Sequence, residues 1–213
     1  MIVKDRLKEH FEVEEWHGHT SFQHYTRTGE NLIDEINALD PDLVVDVGCG
    51  HNRFKGHIQN LIGFDQSPFP NVDIISYIKD INFRPESVDV ALCLGSVQFG
   101  DRDNVIKELG HVVDWIKPGG YIVMRTMNQW FKRRAYPNED YQYIWSEDDV
   151  KEIGNMYNLK LHKGIWEEFV PTGPEGIKRG IKYKSSRLSW WWQKPGTLTR
   201  TQIDPVTCEV TER

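Results

Sequence analysis

Two short stretches combine residue types whose order implies ligand chemistry. Leu43-Val44-Val45-Asp46-Val47-Gly48-Cys49-Gly50 runs from apolar, β-branched residues through an acid into two glycines spaced G-x-G. Asn60-Leu61-Ile62-Gly63-Phe64-Asp65 follows the same plan, an apolar run ending in an acid. Apolar residues without alternation are what a parallel strand covered on both faces requires. Glycines at the carboxyl end of such a strand let backbone approach a ligand closely. An acid ending the next strand, Asp65 with Gln66 beside it, is placed to hold the two hydroxyls of a ribose. Without a ligand, Gly48 and Gly50 would make only a tight strand-to-helix turn, and Asp65 would cap a surface turn. Together the two stretches point to a cofactor that contains a ribonucleoside.

What is missing narrows the choice. A dinucleotide site wants G-x-G-x-x-G, whose third glycine lets helix and strand pack closely under a pyrophosphate. That position is Arg53. The pattern instead resembles the D-x-G-x-G-x-G signature of class I S-adenosylmethionine-dependent methyltransferases, with Asp46, Gly48 and Gly50 in register and Asn52 in place of the third glycine. Asparagine enters the left-handed region more readily than other side chains, so the turn can form without the glycine. Asp80-Ile81-Asn82-Phe83-Arg84-Pro85-Glu86-Ser87-Val88-Asp89 resembles the family's adenine-binding turn leading into its fourth strand, and Pro118-Gly119-Gly120 its turn into strand five. The resemblance spans about residues 25–165.

The resemblance implies a fold, an activity and a site. The fold is an α/β, Rossmann-like, doubly wound seven-stranded sheet, mostly parallel with an antiparallel edge hairpin. The activity is methyl transfer by in-line displacement from S-adenosyl-L-methionine. Asp46, Gly48, Cys49 and Gly50 would line the methionine-to-ribose part of the cofactor, with Asp65 on the ribose. Asp80 and the backbone of Ile81 would meet the adenine. Leu94 and Gly95, ending the fourth strand, would lie under the cofactor, and Arg27 would hold its carboxylate, or else be solvated. Gln98 stands where the family often presents a substrate-facing group. The cofactor carries its own leaving group, so the protein chiefly positions the acceptor and excludes water. No residue announces itself as a strong base. No Asn-Pro-Pro-Tyr-like run follows the fourth strand and no Pro-Cys nucleophile is present. Cys93, inside an apolar strand, reads as a small buried hydrophobe.

These residues need elements to hold them. Strands are expected at about 42–47, 60–65, 72–78, 88–94 and 120–126, with two more at 159–167 and 187–193. A helix over 28–39 buries Leu32, Ile33, Ile36 and Leu39, with Thr28 as a possible cap and Asp40-Pro41 as its stop. A short helix from Arg53 to Gln59 is weakened by Gly56. Helix 102–116 packs Val105, Ile106, Leu109, Val112, Val113 and Ile116 on the sheet. Ser146-Glu147-Asp148-Asp149 opens a helix to about Tyr157 with a capping box. The alternation gives one domain over 1–213, with a cap and helix at 1–40, a cofactor-binding core at 41–167, and an edge strand with an extended or frayed tail at 168–213.

Two regions bear on the acceptor. Between strand five and the Ser146 helix lies a long insertion with Trp130, Phe131, Lys132, Arg133, Arg134, Tyr136, Tyr141, Tyr143 and Trp145. It leaves the ligand end of the sheet and reads either as a lid that binds the acceptor, chiefly through Trp130, Lys132, Arg133 and Arg134, or as a structural loop pinned by aromatics. Residues 176–200 carry Lys178, Arg179, Lys182, Lys184, Arg187, Lys194 and Arg200 among Tyr183 and Trp190-Trp191-Trp192, with no acid. Bases could stack there with phosphates on the cations. A strand would instead send Trp190 and Trp192 to one face and Trp191 to the other, as core packing does.

Composition bounds the rest. The chain has 213 residues, a net charge of −6 and 38% hydrophobic residues. A mean hydropathy of −0.58 with no long apolar run excludes a membrane-spanning helix. The amino terminus lacks a signal-peptide layout, and Cys49, Cys93 and Cys208 form neither a disulfide framework nor a zinc pattern. His17-Gly18-His19 lacks a carboxylate or thiolate at ligand spacing, so no metal is expected. A cytoplasmic setting is expected. The acceptor is expected to be a small or medium-sized molecule. A nucleic acid read by the aromatic–basic region is the first alternative, and a cofactor-binding regulatory or assembly subunit without activity the second.

Overall fold

The computed structural model describes residues 29–127, 142–171, 183–198 and 209–210. In chain order the elements are α1 Glu30–Asn37, β1 Val44–Val47, β2 Leu61–Asp65, β3 Ile74–Ile75, β4 Ile81–Asn82, β5 Val88–Leu94, α2 Arg102–Trp115, β6 Ile116–Met127, α3 Glu147–Met156, β7 Lys160–Pro171, β8 Tyr183–Gln193 and β9 Glu209–Val210. Seven strands form one sheet in the order β3-β2-β1-β5-β6-β8-β7. The first five are parallel; β8 runs antiparallel to both β6 and β7. The expected doubly wound sheet with an antiparallel edge hairpin is therefore present.

Each face of the sheet has its own core. On one, Val45, Val47, Phe64, Ala91, Cys93, Ile122 and Met124 pack under α2 and α3. On the other, Val44, Val90, Leu92, Tyr121 and Val123 pack under Leu32 and Ile36 of α1. Strand alternation splits the tryptophans accordingly: Trp190 and Trp192 join the first core and Trp191 the second. All three are at most 1% exposed. They are the filling of the sheet, and no stacking surface for bases is available on them.

Four expectations change. The helix expected from Arg53 to Gln59 does not form. Residues 51–60 make successive turns with a bridge between Lys55 and Ile58, because Gly56 takes φ +83, outside helical space. Ile58, buried, still covers the α1 face. Helix α1 has Gly29 as its cap, at φ +118 and without a side-chain hydrogen bond, and Thr28 lies outside the described residues. Strand β6 begins directly at Ile116, since the Pro118-Gly119-Gly120 turn is drawn into the sheet by Gly119 N–H donating to Lys194 O and Lys194 N–H to Gly120 O. The carboxyl-terminal stretch is not simply a frayed tail. Gly196 packs so tightly on Pro118 that a Cβ there would come within 2.5 Å of the proline Cβ, and β9 pairs antiparallel with β4.

Candidate functional site

The carboxyl ends of β1, β2, β5 and β6 converge on the loops that carry the expected site residues. After β1 the chain turns at Gly48 (φ +65) and Gly50 (φ +53), a left-handed path that favours glycine. A Cβ on Gly48 would come within 2.6 Å of the Ser96 Cβ, so glycine is also needed for the approach of the loop after β5. Cys49 N–H donates to Phe64 O (3.0 Å), and Gly50 N–H to Asp65 Oδ2 (2.9 Å), so the glycine loop is laid across the end of β2. Ser67 N–H donates to the other Asp65 oxygen at 2.8 Å.

Two carboxylates define the electrostatics. Asp46 is 4% exposed, and none of the described residues forms an ion pair with it. Burial first, and the nearby Asp65 charge second, push its carboxyl up to about 7. Burial also raises Asp65 above the ordinary carboxylate range, although the N–H groups of Ser67, Gly50 and Gln66 offset part of that shift. The His51 charge also works to lower Asp65, whereas Asp46, with no cation paired to it among the described residues, favours a positively charged ligand group. Burial and the charges of Asp46, Asp65 and Asp73 push the Cys49 thiol up, which disfavours the thiolate.

On the β5 side, Leu94 and Gly95 (φ +104) end the strand as expected. Ser96 Oγ is buried with no hydrogen-bond partner among the described residues, and it faces Gly48. Gln98 is buried, its carboxamide beside Gly95, and its carbonyl accepts Tyr143 N–H at 2.7 Å. Phe99 pairs with Gln142, and Trp145 Nε1–H donates to Val97 O at 3.1 Å. The return of the long insertion is thereby stitched to the loop after β5, while its departure is the end of β6. Trp130, Lys132, Arg133 and Arg134 lie outside the described residues, as do Arg27 and His17-Gly18-His19.

Asp80 and Ile81 stand on the side expected to meet the adenine. Asp80 is half-buried and paired with Lys79 at 3.3 Å. Ile81 N–H already donates to Tyr77 O (3.1 Å), and the residue pairs with Val210 in β4–β9. That backbone is engaged within the protein. Sequence reading missed Ser96, Ser67 and Arg125. Arg125, 2% exposed at the end of β6, donates from Nε to Ser189 Oγ at 3.4 Å and lies beneath Gly29. An arginine inside a strand-like run carries no signal of burial. Among the described residues no group of three or more His, Cys, Asp or Glu could hold a metal, and no helix is long and apolar enough to cross a membrane.

The strand order and the single reversed strand are those of the class I S-adenosylmethionine-dependent methyltransferase fold. Solved structures bear this out. A Burkholderia thailandensis 1,6-didemethyltoxoflavin-N1-methyltransferase, bound to 1,6-didemethyltoxoflavin and S-adenosylhomocysteine, is similar over 89% of this chain and 87% of its own, with 14% identity and a TM-score of 0.65. A chain from a Haloferax volcanii complex between the Trm112 methyltransferase activator and a methyltransferase is similar over 89% of this chain and 98% of its own, with 14% identity and a TM-score of 0.66. An Archaeoglobus fulgidus S-adenosylmethionine-dependent methyltransferase is similar over 78% and 94%, with 16% identity and a TM-score of 0.52. No protein-family model matches the chain, and no curated protein matches it.

Proposed function

We propose that this protein is an S-adenosylmethionine-dependent methyltransferase acting on a small or medium-sized acceptor, with residues 41–167 as its cofactor-binding core in a single domain. The observation that carries the reading is the cradle at the ends of β1, β2 and β5. There Asp46 is buried without a cation among the described residues, Asp65 accepts from two backbone donors, and the left-handed Gly50 has open space where a Cβ would stand. The residues fit the cofactor's chemistry. Asp46 offers a buried negative charge to the ammonium of its methionine part, and Asp65 keeps lone pairs for ribose hydroxyls after accepting from Gly50 and Ser67. Ser96 Oγ, buried and unpartnered among the described residues, offers a further polar contact beside Gly48. When bound, the cofactor supplies a methyl group on a sulfonium carbon, already activated for displacement. The protein's part is to bind, orient and exclude water. Leu94 and Gly95 form the floor, and Gln98 faces the acceptor side. Trp130, Lys132, Arg133 and Arg134 form the acceptor lid, and Arg27 takes the cofactor carboxylate.

A small acceptor is favoured over a nucleic acid by the burial of Trp190, Trp191 and Trp192, which removes the stacking platform a nucleic-acid reader would need. The test is calorimetry with S-adenosylmethionine, S-adenosylhomocysteine and NAD, followed by incubation of the protein with methyl-labelled cofactor and fractionated cell extract. Binding of the first two ligands and label in a small-molecule fraction are expected. Preference for NAD would overturn the reading. Binding without label in any fraction would favour a regulatory subunit.

A further inference from the structure

Where the resembling motif has its third glycine this chain has Asn52, and no helix follows the loop. Asn52 takes φ +48, and its N–H donates to Cys49 O at 3.0 Å, closing the turn that contains Gly50. A left-handed backbone alone would be served better by glycine. The side chain does something more. It is 2% exposed and lies over Gly63, where a Cβ would come within 2.6 Å of its carboxamide atoms. Its Nδ2 donates to Asn71 O (2.7 Å) and to Asp73 Oδ2 (2.9 Å). Asp73 also accepts Gly63 N–H at 2.9 Å and the Lys55 ammonium. Burial works to raise the Asp73 carboxyl, but hydrogen bonds from Lys55, Gly63 and Asn52 hold it below the ordinary range, so it stays ionised as the anchor. Asn52 Oδ1 is buried with no partner among the described residues, which is unfavourable by itself. The side chain is therefore held for what Nδ2 does.

We propose that Asn52 is a positioning residue for the cofactor loop. Clamped to Asn71 and Asp73 over Gly63, it replaces both the third glycine and the missing helix in holding Gly50 N–H on Asp65. The assignment rests on reading Gly48–Gly50 and Asp65 as the cofactor cradle, and it makes Gly63 and Asp73 parts of one device. It also explains why a glycine sits inside β2, where a strand would otherwise prefer a side chain.

Asn52→Gly tests this directly, because it keeps the left-handed backbone and removes only the clamp. S-adenosylhomocysteine affinity, measured by calorimetry well below the melting temperature, should fall about tenfold, since a loop in its binding geometry a tenth of the time raises the apparent Kd in that proportion. Hydrogen exchange of the Gly50 amide should accelerate while that of Val90, in the centre of the sheet, is unchanged; a merely structural role would move both or neither. Gly63→Ala, which displaces the carboxamide, should cause a similar loss in the parent protein but less than about a twofold further loss in the Asn52→Gly background. Parental affinity and parental Gly50 exchange in Asn52→Gly would overturn the proposal, as would additive losses in the double variant. If Asn52→Gly does not fold, Gly63→Ala decides by the same two readouts, and retained affinity overturns the proposal. If the parent itself does not bind S-adenosylhomocysteine, the proposed function fails. Exchange at Gly50 then judges the clamp alone: acceleration supports it and no change overturns it.

Discussion

The two ends of the same sheet treat buried acids in opposite ways. At the amino-terminal ends of β1, β5 and β6, Lys117 lies between Asp42 and Asp89, 2.9 Å from an oxygen of each, and Asp89 also accepts Leu43 N–H at 2.8 Å. Lys117 and Asp89 are each 3% exposed, so the chain encloses both the charge and its neutralisation. At the carboxyl ends, Asp46 is buried with no described cation paired to it, and the half-buried Asp65 accepts from the backbone N–H groups of Gly50 and Ser67. A buried charge satisfied internally holds a fold together, whereas one left unneutralised is a standing cost that a ligand can relieve. The contrast separates the part of the sheet whose buried charge is neutralised within the fold from the part proposed to bind the cofactor.

The sharpest way to break this comparison is Lys117→Met. It leaves Asp89 buried without its cation and should cost about 3–5 kcal/mol in urea unfolding, while cofactor affinity of the folded fraction stays near parental. Burial works to lower the Lys117 ammonium, but bonding to Asp42 and Asp89 outweighs it and raises it above the ordinary 10.5. Its contribution is therefore complete below that pH and is lost as pH rises through the elevated value, a loss that a thermal-melt series in alkaline buffers would detect and that Lys117→Met should lack.

Asp65→Ala belongs to the other end. It should weaken S-adenosylmethionine binding by about 1–3 kcal/mol, the cost of leaving buried hydroxyls without their acceptor, with the fold intact by circular dichroism. Unchanged affinity would move the ribose contact elsewhere.

Asp46→Asn should show opposite signs in two assays. An acid raised from 3.8 to about 7 contributes stability that is complete below 3.8 and lost as pH rises through about 7. The ligand-free variant should therefore be more stable than the parent at pH 8, and its melting temperature should vary less between pH 4 and 7. It should also bind cofactor more weakly, and parental cofactor affinity rises with pH through about 7 as Asp46 ionises. A variant less stable at pH 8 would mean that Asp46 is already neutralised.

The smallest effect on the cofactor is expected from replacing Lys132, Arg133 and Arg134 together by alanine. On the proposed lid role, affinity should stay within about twofold of parental, since surface cations add little to a buried cradle. Methyl transfer should fall, and for a polyanionic acceptor its salt dependence should flatten. Loss of cofactor binding would place this segment in the cofactor pocket.

Much of this was legible in the residue order. Unalternating apolar runs marked β1, β2 and β5, because strands covered on both faces have no polar face to show. The G-x-G after Asp46 marked the left-handed turn that ends β1, because that backbone favours glycine whatever surrounds it. The alternation of Trp190, Trp191 and Trp192 already contained the division of the core. What no local pattern could decide was partnership between distant segments. Asn52 over Gly63, Lys117 between Asp42 and Asp89, Arg125 beneath Gly29, Ser96 against Gly48, and β9 on β4 each join residues far apart in the chain. Local propensity is set within a few residues, but whether a buried charge or amide is satisfied depends on which segment the fold brings against it. The strands and the turns at their carboxyl ends were therefore determined by the sequence alone, and the neutralisation of their charges only by tertiary structure.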